Sequence, residues 1–278
     1  MQHGGVTRTF HVIVPTGYDP AKKVPLVIAM HGGGGTAEGF TGFVRGQFQR
    51  EADRHGWLVV LPDGVNKGWV DGRDATADER RGVDDVAFLG AMLDQLEADY
   101  AVDDKRIYAT GISNGGFMSI RLALDMSDRI AAVAPVTANL QKELDHKKPS
   151  RPIPILFMNG TDDPLVPYDG GFVDVFGKKR GEILSTYDSA VAFGTWNGCT
   201  EEREAVTLPD WAKRDGTRVH VHSGKGCEAP VVVYRIEGGG HTWPGGVQYL
   251  PKAVVGRVSR DIDGAKHIFA FFAKQSLP

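Results

Sequence analysis

The sequence predicts an α/β protein in which a mostly parallel central sheet is covered by helices on both faces. Two observations carry that expectation. Apolar runs of strand length alternate along the whole chain with segments of helical period, the order that produces parallel strands and crossover helices. Glycine-rich turns directly follow several of those runs, and parallel strands bring such turns to one edge of the sheet. With no internal repeat, linker or break in composition, residues 1–278 read as a single domain.

In chain order, residues 8–14 alternate and read as an edge strand, and 15–23 as a turn-rich link. Residues 25–30 are a buried strand running into His31 and the glycines 32–35. A helix over 47–55 stops at Gly56, a good residue for a left-handed C′ position. Residues 57–61 form a strand, followed by the turn 62–64 and a loop, 65–82, that carries Trp69, Asp71 and Arg73. Val86, Leu89, Leu93, Leu96 and Tyr100 mark one helix face, with Asp84 or Asp85 as its N-cap. A strand over 106–110 leads through residues 111–116 into a helix with Phe117, Ile120 and Leu124 on one face. Strands follow at 130–136 and 153–158, then a glycine-rich loop, 165–181, that forms a rim or partial lid. A helix over 184–197 ends at Gly198. Strands over 218–222 and 231–236 precede a closing helix, 262–274, with Ile268 and Phe272 facing in.

Composition bounds the function. A chain of 278 residues buries a full core, and 41% apolar with 24% charged residues excludes a disordered protein. A formal charge of −3 and the lack of a long Lys/Arg run argue against nucleic-acid binding. Lys147-Lys148 and Lys178-Lys179-Arg180 read as solvated surface. No apolar run approaches a membrane span. Residues 1–7 show no signal peptide, which fits a cytoplasmic protein or a mature form written without its leader.

The chemistry starts at Gly111-Ile112-Ser113-Asn114-Gly115, a Gly-x-Ser-x-Gly turn between a strand and a helix. The turn is tight enough that side chains flanking the serine would collide, so glycine fills both places, and the hydroxyl is pushed out over the sheet edge. A serine hydroxyl is a poor nucleophile until a base takes its proton, and the base needs an acid to fix its tautomer. In the α/β-hydrolase fold these arrive in the order Ser, Asp/Glu, His, each just after a strand. Ser113, Asp163 and His241 give that order. Asp162 competes with Asp163 for the middle role; Asp163 is preferred because Pro164 holds it extended. His241 alone among the histidines stands in a glycine loop after a late strand. His220 and His222 alternate on a strand, but no third ligand accompanies them, so no metal is expected, nor any cofactor.

A tetrahedral intermediate needs two preorganised N–H donors for its oxyanion. Asn114 N–H supplies one and Gly33 N–H is expected to supply the other, with Gly32 and Gly34 adjacent. A phosphate-cradling loop is the rival for these glycines, but the Lys-Ser/Thr ending of such a loop is missing. Trp243, beside the base, and Trp69, in an earlier loop, are expected to wall the cleft, although both rings equally suit core packing. Cys199 and Cys227 stand 28 residues apart; bonded, they would pin the loop ahead of His241, and the alternative is two buried thiols.

Three segments carry a family resemblance: 111–116; 160–168, Gly-Thr-Asp-Asp-Pro-Leu-Val-Pro-Tyr; and 239–246, Gly-Gly-His-Thr-Trp-Pro-Gly-Gly. Together with Met30-His31-Gly32-Gly33 and Leu61-Pro62-Asp63-Gly64, they resemble the esterase/polyhydroxybutyrate-depolymerase family, close to the feruloyl and acetylxylan esterases of carbohydrate esterase family 1. The resemblance implies a secreted or periplasmic serine esterase and suggests that Cys199 and Cys227 pair. The expected substrate is a small ester or an esterified oligosaccharide of the plant wall. Short hydroxyalkanoate oligomers are the alternative, and acyl transfer to an alcohol is a further one. No nucleic-acid or membrane partner is implied.

Overall fold

The apolar runs become the middle of a nine-stranded sheet. The architecture is that of a computed structural model, which describes residues 1–200 and 203–278. Two short strands, β1 (Gln2–His3) and β2 (Val6–Thr7), pair as a hairpin ahead of the main sheet. The elements that follow are β3 (Phe10–Ile13), β4 (Val24–Met30), α1 (Ala37–Phe43), α2 (Gln47–His55), β5 (Leu58–Pro62), α3 (Asp74–Glu79) and α4 (Asp85–Asp99). Next come β6 (Val102–Ile112), α5 (Asn114–Asp125), β7 (Ala132–Val136), β8 (Ile155–Gly160), β9 (Gly171–Val175), β10 (Lys178–Ile183) and α6 (Thr186–Trp196). The chain ends with β11 (Arg203–Thr207), β12 (Arg218–Gly224), β13 (Val231–Glu237), α7 (Lys252–Val255) and α8 (Gly264–Phe272).

The sheet order is β11-β12-β13-β8-β7-β6-β4-β5-β3. From β13 across to β5 every neighbouring pair is parallel. β3 closes one edge antiparallel, and β12 and β11 close the other. The parallel centre is buried on both faces, which is why β5, β7 and β8 are buried at every residue. Alternate side chains of β4 go to opposite sides: Leu26, Ile28 and Met30 pack with α4, α5 and α6, while Val27 and Ala29 pack with α1, α2 and α8. Ile268 and Phe272 of α8 face that second layer, as expected.

Several helix ends obey simple capping chemistry. Asp84 accepts the Ala87 N–H at 3.0 Å to start α4, and Ser185 accepts the Asp188 N–H at 2.9 Å to start α6. Gly56 ends α2 in the left-handed region at φ 69°.

The expected loop 165–181 is different in the structure: it contains the hairpin β9–β10, which pairs with itself outside the main sheet. Val175 pairs with Lys178, leaving Phe176 and Gly177 as a two-residue turn with φ of 55° and 81°. Such a turn needs positive φ at both places and ordinarily reads Asn-Gly. Phenylalanine at the first position, with a polar and basic second strand, hid the hairpin from pattern reading. β11 escaped for a similar reason, since all five of its residues are exposed. α1 was hidden by its length of seven residues and its internal glycines.

Two further constraints bear on the site. Cys199 and Cys227 are disulfide-bonded, tying the end of α6 to the segment before β13. His31, buried beyond the end of β4, donates its Nδ1–H to the Gly32 carbonyl at 2.8 Å and accepts the Gly64 N–H at Nε2 at 3.0 Å. Burial, the largest influence, holds the imidazole below its ordinary pKa.

Two outcomes are expected. Replacing both cysteines by serine should lower unfolding stability by about 3–4 kcal/mol on the chain-entropy model, read from urea unfolding with m fitted separately for each form because the uncrosslinked denatured chain expands. His31 contributes to acid sensitivity. Its unfolded form takes a proton as pH falls through about 6.5, whereas the folded form resists, so stability present above about 6.5 declines as pH drops toward the folded value. The melting temperature should therefore fall between about pH 7.5 and pH 5, and His31→Gln should flatten part of that slope.

Candidate active site

The site begins where β6 hands over to α5. Ser113 sits between them at φ 54° and ψ −121°, a strained conformation for a residue with a side chain. Its N–H donates to the Val136 carbonyl at 2.9 Å, which anchors the turn to β7. The flanking glycines are steric necessities. A Cβ on Gly115 would collide with the carbonyl oxygens of Met30 and His31, and one on Gly111 would lie 2.6 Å from the carbonyl carbon of Gly115. The helix can press against the end of β4 only because both are absent.

Asp163 and His241 come from the ends of β8 and β13, which are parallel neighbours. His241 Nδ1 and Asp163 Oδ2 are 2.8 Å apart, and both side chains are buried. Asp163 Oδ1 accepts the N–H groups of Leu165 and Val166, each at 2.8 Å. With the carboxylate an acceptor, Nδ1 carries the proton and Nε2 is left as the basic nitrogen; the tautomer is assigned from this bond. The main-chain N–H of His241 donates to Val255 O at 2.6 Å, so the loop is held as well as the ring. Asp162 points elsewhere: it is exposed, accepts the Thr161 hydroxyl at 3.0 Å and lies 3.9 Å from Arg257.

Ser113, Asn114, Gly33 and His241 all line one cavity of about 600 Å³. Among the described residues no hydrogen bond joins Ser113 Oγ to the imidazole, a looseness common in unliganded sites that tighten around substrate. Asn114 opens α5, so its N–H is one of the donors that a helix leaves unsatisfied at its start. In the facing loop, Gly34 N–H donates to Lys67 O at 2.7 Å and Gly35 N–H to Gly32 O at 3.0 Å. Those two are committed, which favours Gly33 as the second oxyanion donor over Gly34. A Cβ on Gly33 would come within 3.8 Å of Asn114 Cβ, so the loop and the turn are adjacent.

The two tryptophans are a correction. Trp69 and Trp243 are each 0% exposed, and neither lines the cavity. Each indole N–H has a buried acceptor, His31 O at 2.9 Å for Trp69 and Gln47 Oε1 at 2.7 Å for Trp243. With its polar atom satisfied, the whole ring can enter the core. Trp243 packs edge-on to Phe40 and Phe48 at 5.5 Å. The apolar wall comes instead from Phe40 and Phe43 of α1, from Tyr249 and Leu250, and from Val173, Val175 and Phe176 around the β9–β10 turn. Thr36 accepting the Gly39 N–H, three residues on, followed by Phe40 and Phe43 at helical spacing, was a readable signal for the first of these. Arg73, Arg80 and Arg180 supply a polar side that sequence reasoning did not assign.

Comparison with known proteins agrees with this geometry. A family model described as "Putative esterase" matches residues 3–228. The chain is 35% identical over 253 residues to "Putative esterase NocK" of Nocardia uniformis subsp. tsuyamanensis, covering 87% of this chain and 72% of that one. It is 31% identical to "Feruloyl esterase B" of Piromyces equi, covering 82% of this chain but 41% of the longer relative. It is 29% identical to "Feruloyl esterase C" of Emericella nidulans, covering 86% and 78%. Among solved structures, an acetyl xylan esterase from Aspergillus awamori superposes with a TM-score of 0.61 at 13% identity, covering 95% of this chain and 93% of that one. A thermostable esterase gives 0.58 at 17% identity, covering 98% and 60%. At such identities the structural likeness speaks to the fold. The match over residues 3–228 and the NocK alignment settle membership: this chain belongs to the Esterase family, carboxylic ester hydrolases of the α/β-hydrolase fold.

Proposed function

We propose that the protein cleaves its ester through an acyl-enzyme formed on Ser113. The observation that carries this reading is the buried 2.8 Å contact of His241 with Asp163, opening on the same cavity as Ser113 at its strained turn. His241 Nε2 takes the hydroxyl proton as Ser113 Oγ bonds to the ester carbonyl carbon. The carbonyl π electrons move to oxygen, where Asn114 N–H and Gly33 N–H stabilise the charge. The tetrahedral intermediate collapses, the C–O bond to the alcohol breaks, and the imidazolium returns its proton to the leaving alkoxide. Water then repeats the sequence on the acyl-enzyme, releasing the acid and restoring Ser113. Asp163 accepts the Nδ1 hydrogen bond and stabilises the imidazolium.

The substrate favoured by this reading is a feruloylated or acetylated saccharide of the plant wall. Supporting this are the aromatic side chains Phe40, Phe43, Phe176 and Tyr249 along the cavity, and the relatives named feruloyl esterase. The disulfide fits a secreted or periplasmic site of action, where oxidised cysteines persist. No described helix is long and apolar enough to cross a membrane.

A fluorophosphonate probe should label the wild-type protein once and leave Ser113→Ala unlabelled. Activity of that variant on p-nitrophenyl acetate should fall by about 10⁴- to 10⁶-fold, and of Asp163→Asn by about 10⁴-fold. Labelling that survives Ser113→Ala would place the nucleophile elsewhere. Methyl ferulate, p-nitrophenyl acetate and a hydroxybutyrate trimer assayed together separate the substrate classes, with methyl ferulate expected to give the highest kcat/KM. Phe43→Ala should raise KM for methyl ferulate about 5- to 30-fold, and by less for the acetate, as loss of one aromatic contact implies.

A further inference from the structure

The loop between β5 and α4 carries a buried polar cluster that the ester-cleaving steps leave unexplained. Asp71 is 0% exposed and Arg73 is 3% exposed. The guanidinium grips the carboxylate through Nε, at 3.1 and 3.2 Å, and Nη2, at 2.5 Å, and lies 4.0 Å over the Phe117 ring. The Thr76 hydroxyl adds a donor to Asp71 Oδ1 at 3.0 Å. A buried ion pair is weak as a source of stability, because desolvation cancels most of the attraction. What it supplies is a fixed arrangement of donors and acceptors.

That arrangement ends on the residue after the nucleophile. Asn114 Oδ1 accepts the Trp69 N–H at 2.7 Å, and Asn114 Nδ2 donates to Trp69 O at 3.0 Å and to Asp71 Oδ2 at 2.7 Å. Both amide hydrogens and the carbonyl oxygen are engaged, so the side chain has one orientation. The loop is itself held from the opposite side, where Gln141 donates to the Asp71 carbonyl at 2.7 Å and to Phe117 O at 2.9 Å. Arg73 Nη1 donates to the Arg180 carbonyl at 2.9 Å, joining the cluster to β10.

We propose that the Asn114 carboxamide, clamped by the Trp69 main chain and the Asp71–Arg73 pair, is a positioning group that aims the Asn114 amide N–H at the oxyanion. The inference rests on the reading of Ser113 as nucleophile. An oxyanion donor is useful only when held within a fraction of an ångström of its target, and hydrogen-bonded neighbours of its own side chain add to what the turn's main chain provides. In this role Asp71 and Arg73 act through Asn114.

The test measures kcat and KM on p-nitrophenyl acetate per active site, counted by fluorophosphonate titration. It adds the inhibition constant of a trifluoromethyl ketone, which becomes a charged tetrahedral adduct. Asn114→Ala should lower kcat about 10- to 100-fold with KM within about threefold, and weaken the ketone in proportion to kcat/KM. Asn114→Asp keeps the shape and guards against a failure to fold. Ionised, its carboxylate opposes that of Asp71; protonated, it again donates. Its kcat relative to wild type should therefore rise as pH falls. An unchanged kcat per active site in Asn114→Ala overturns the proposal, as does a pH-independent ratio for Asn114→Asp. A wild-type protein that the probe does not label overturns the nucleophile reading beneath it, a separate result.

Discussion

Everything in this molecule depends on how closely α5 can press on the end of β4. The contact is backbone against backbone: Gly115 meets the carbonyls of Met30 and His31 with no room for a methyl group. That closeness brings the first turn of the helix, the serine before it and the glycine loop after β4 into one place. The cost is a strained Ser113, which is tolerated because Val136, the sheet and the helix determine the turn from three sides. A strand end, a helix start and a turn that no other residue types could form make up half of the site before any catalytic side chain is considered.

The other half is electrostatic and depends on burial. Asp163 accepts two backbone N–H groups on one oxygen and presents its second oxygen to His241. His31 is held neutral by burial and is used as a bracket, one nitrogen donating and one accepting, so that its glycine loop keeps its shape. The two imidazoles lining the same cavity thus have opposite duties. In the proposed mechanism His241 exchanges a proton with Ser113 in each cycle, whereas His31 only brackets the glycine loop. Low dielectric strengthens both arrangements and makes any unpaired polar group there expensive.

Much of this was legible in the sequence, for identifiable reasons. The parallel strands are mostly apolar along their buried stretches, and the glycines that abut them are required by contact, so β4, β6, β8 and β13 could be read with their turns. The preference for Asp163 over Asp162 rested on the restriction that Pro164 imposes, and the hydrogen bond to His241 falls on the residue so restricted. What was not legible depended on tertiary context. Phe176 in a positive-φ turn contradicts local preference and is sustained by the hairpin around it. Trp69 and Trp243 sit beside catalytic segments in sequence, yet their indole N–H groups find acceptors in the core. Proximity along the chain says nothing about which face of a loop a ring will occupy.

The parts that were hidden are the parts that form the apolar wall of the cavity, where the proposed reading puts substrate choice. α1, the β9–β10 hairpin and the segment at Tyr249 and Leu250 lie outside the parallel strands, and they carry the apolar wall of the cavity. The residues proposed as nucleophile, base, acid and oxyanion donors lie at strand ends, helix starts or the loops that follow them, where backbone geometry dictates residue type. Residues fixed in this way have little freedom, so their pattern is readable in a single sequence. The wall needs only apolar surface of suitable shape, which many sequences satisfy, so its residues carry no pattern of their own. On the proposed mechanism, ester cleavage and ester choice are therefore separable in this fold: the first rests on contacts within the sheet edge, the second on elements that fold against it.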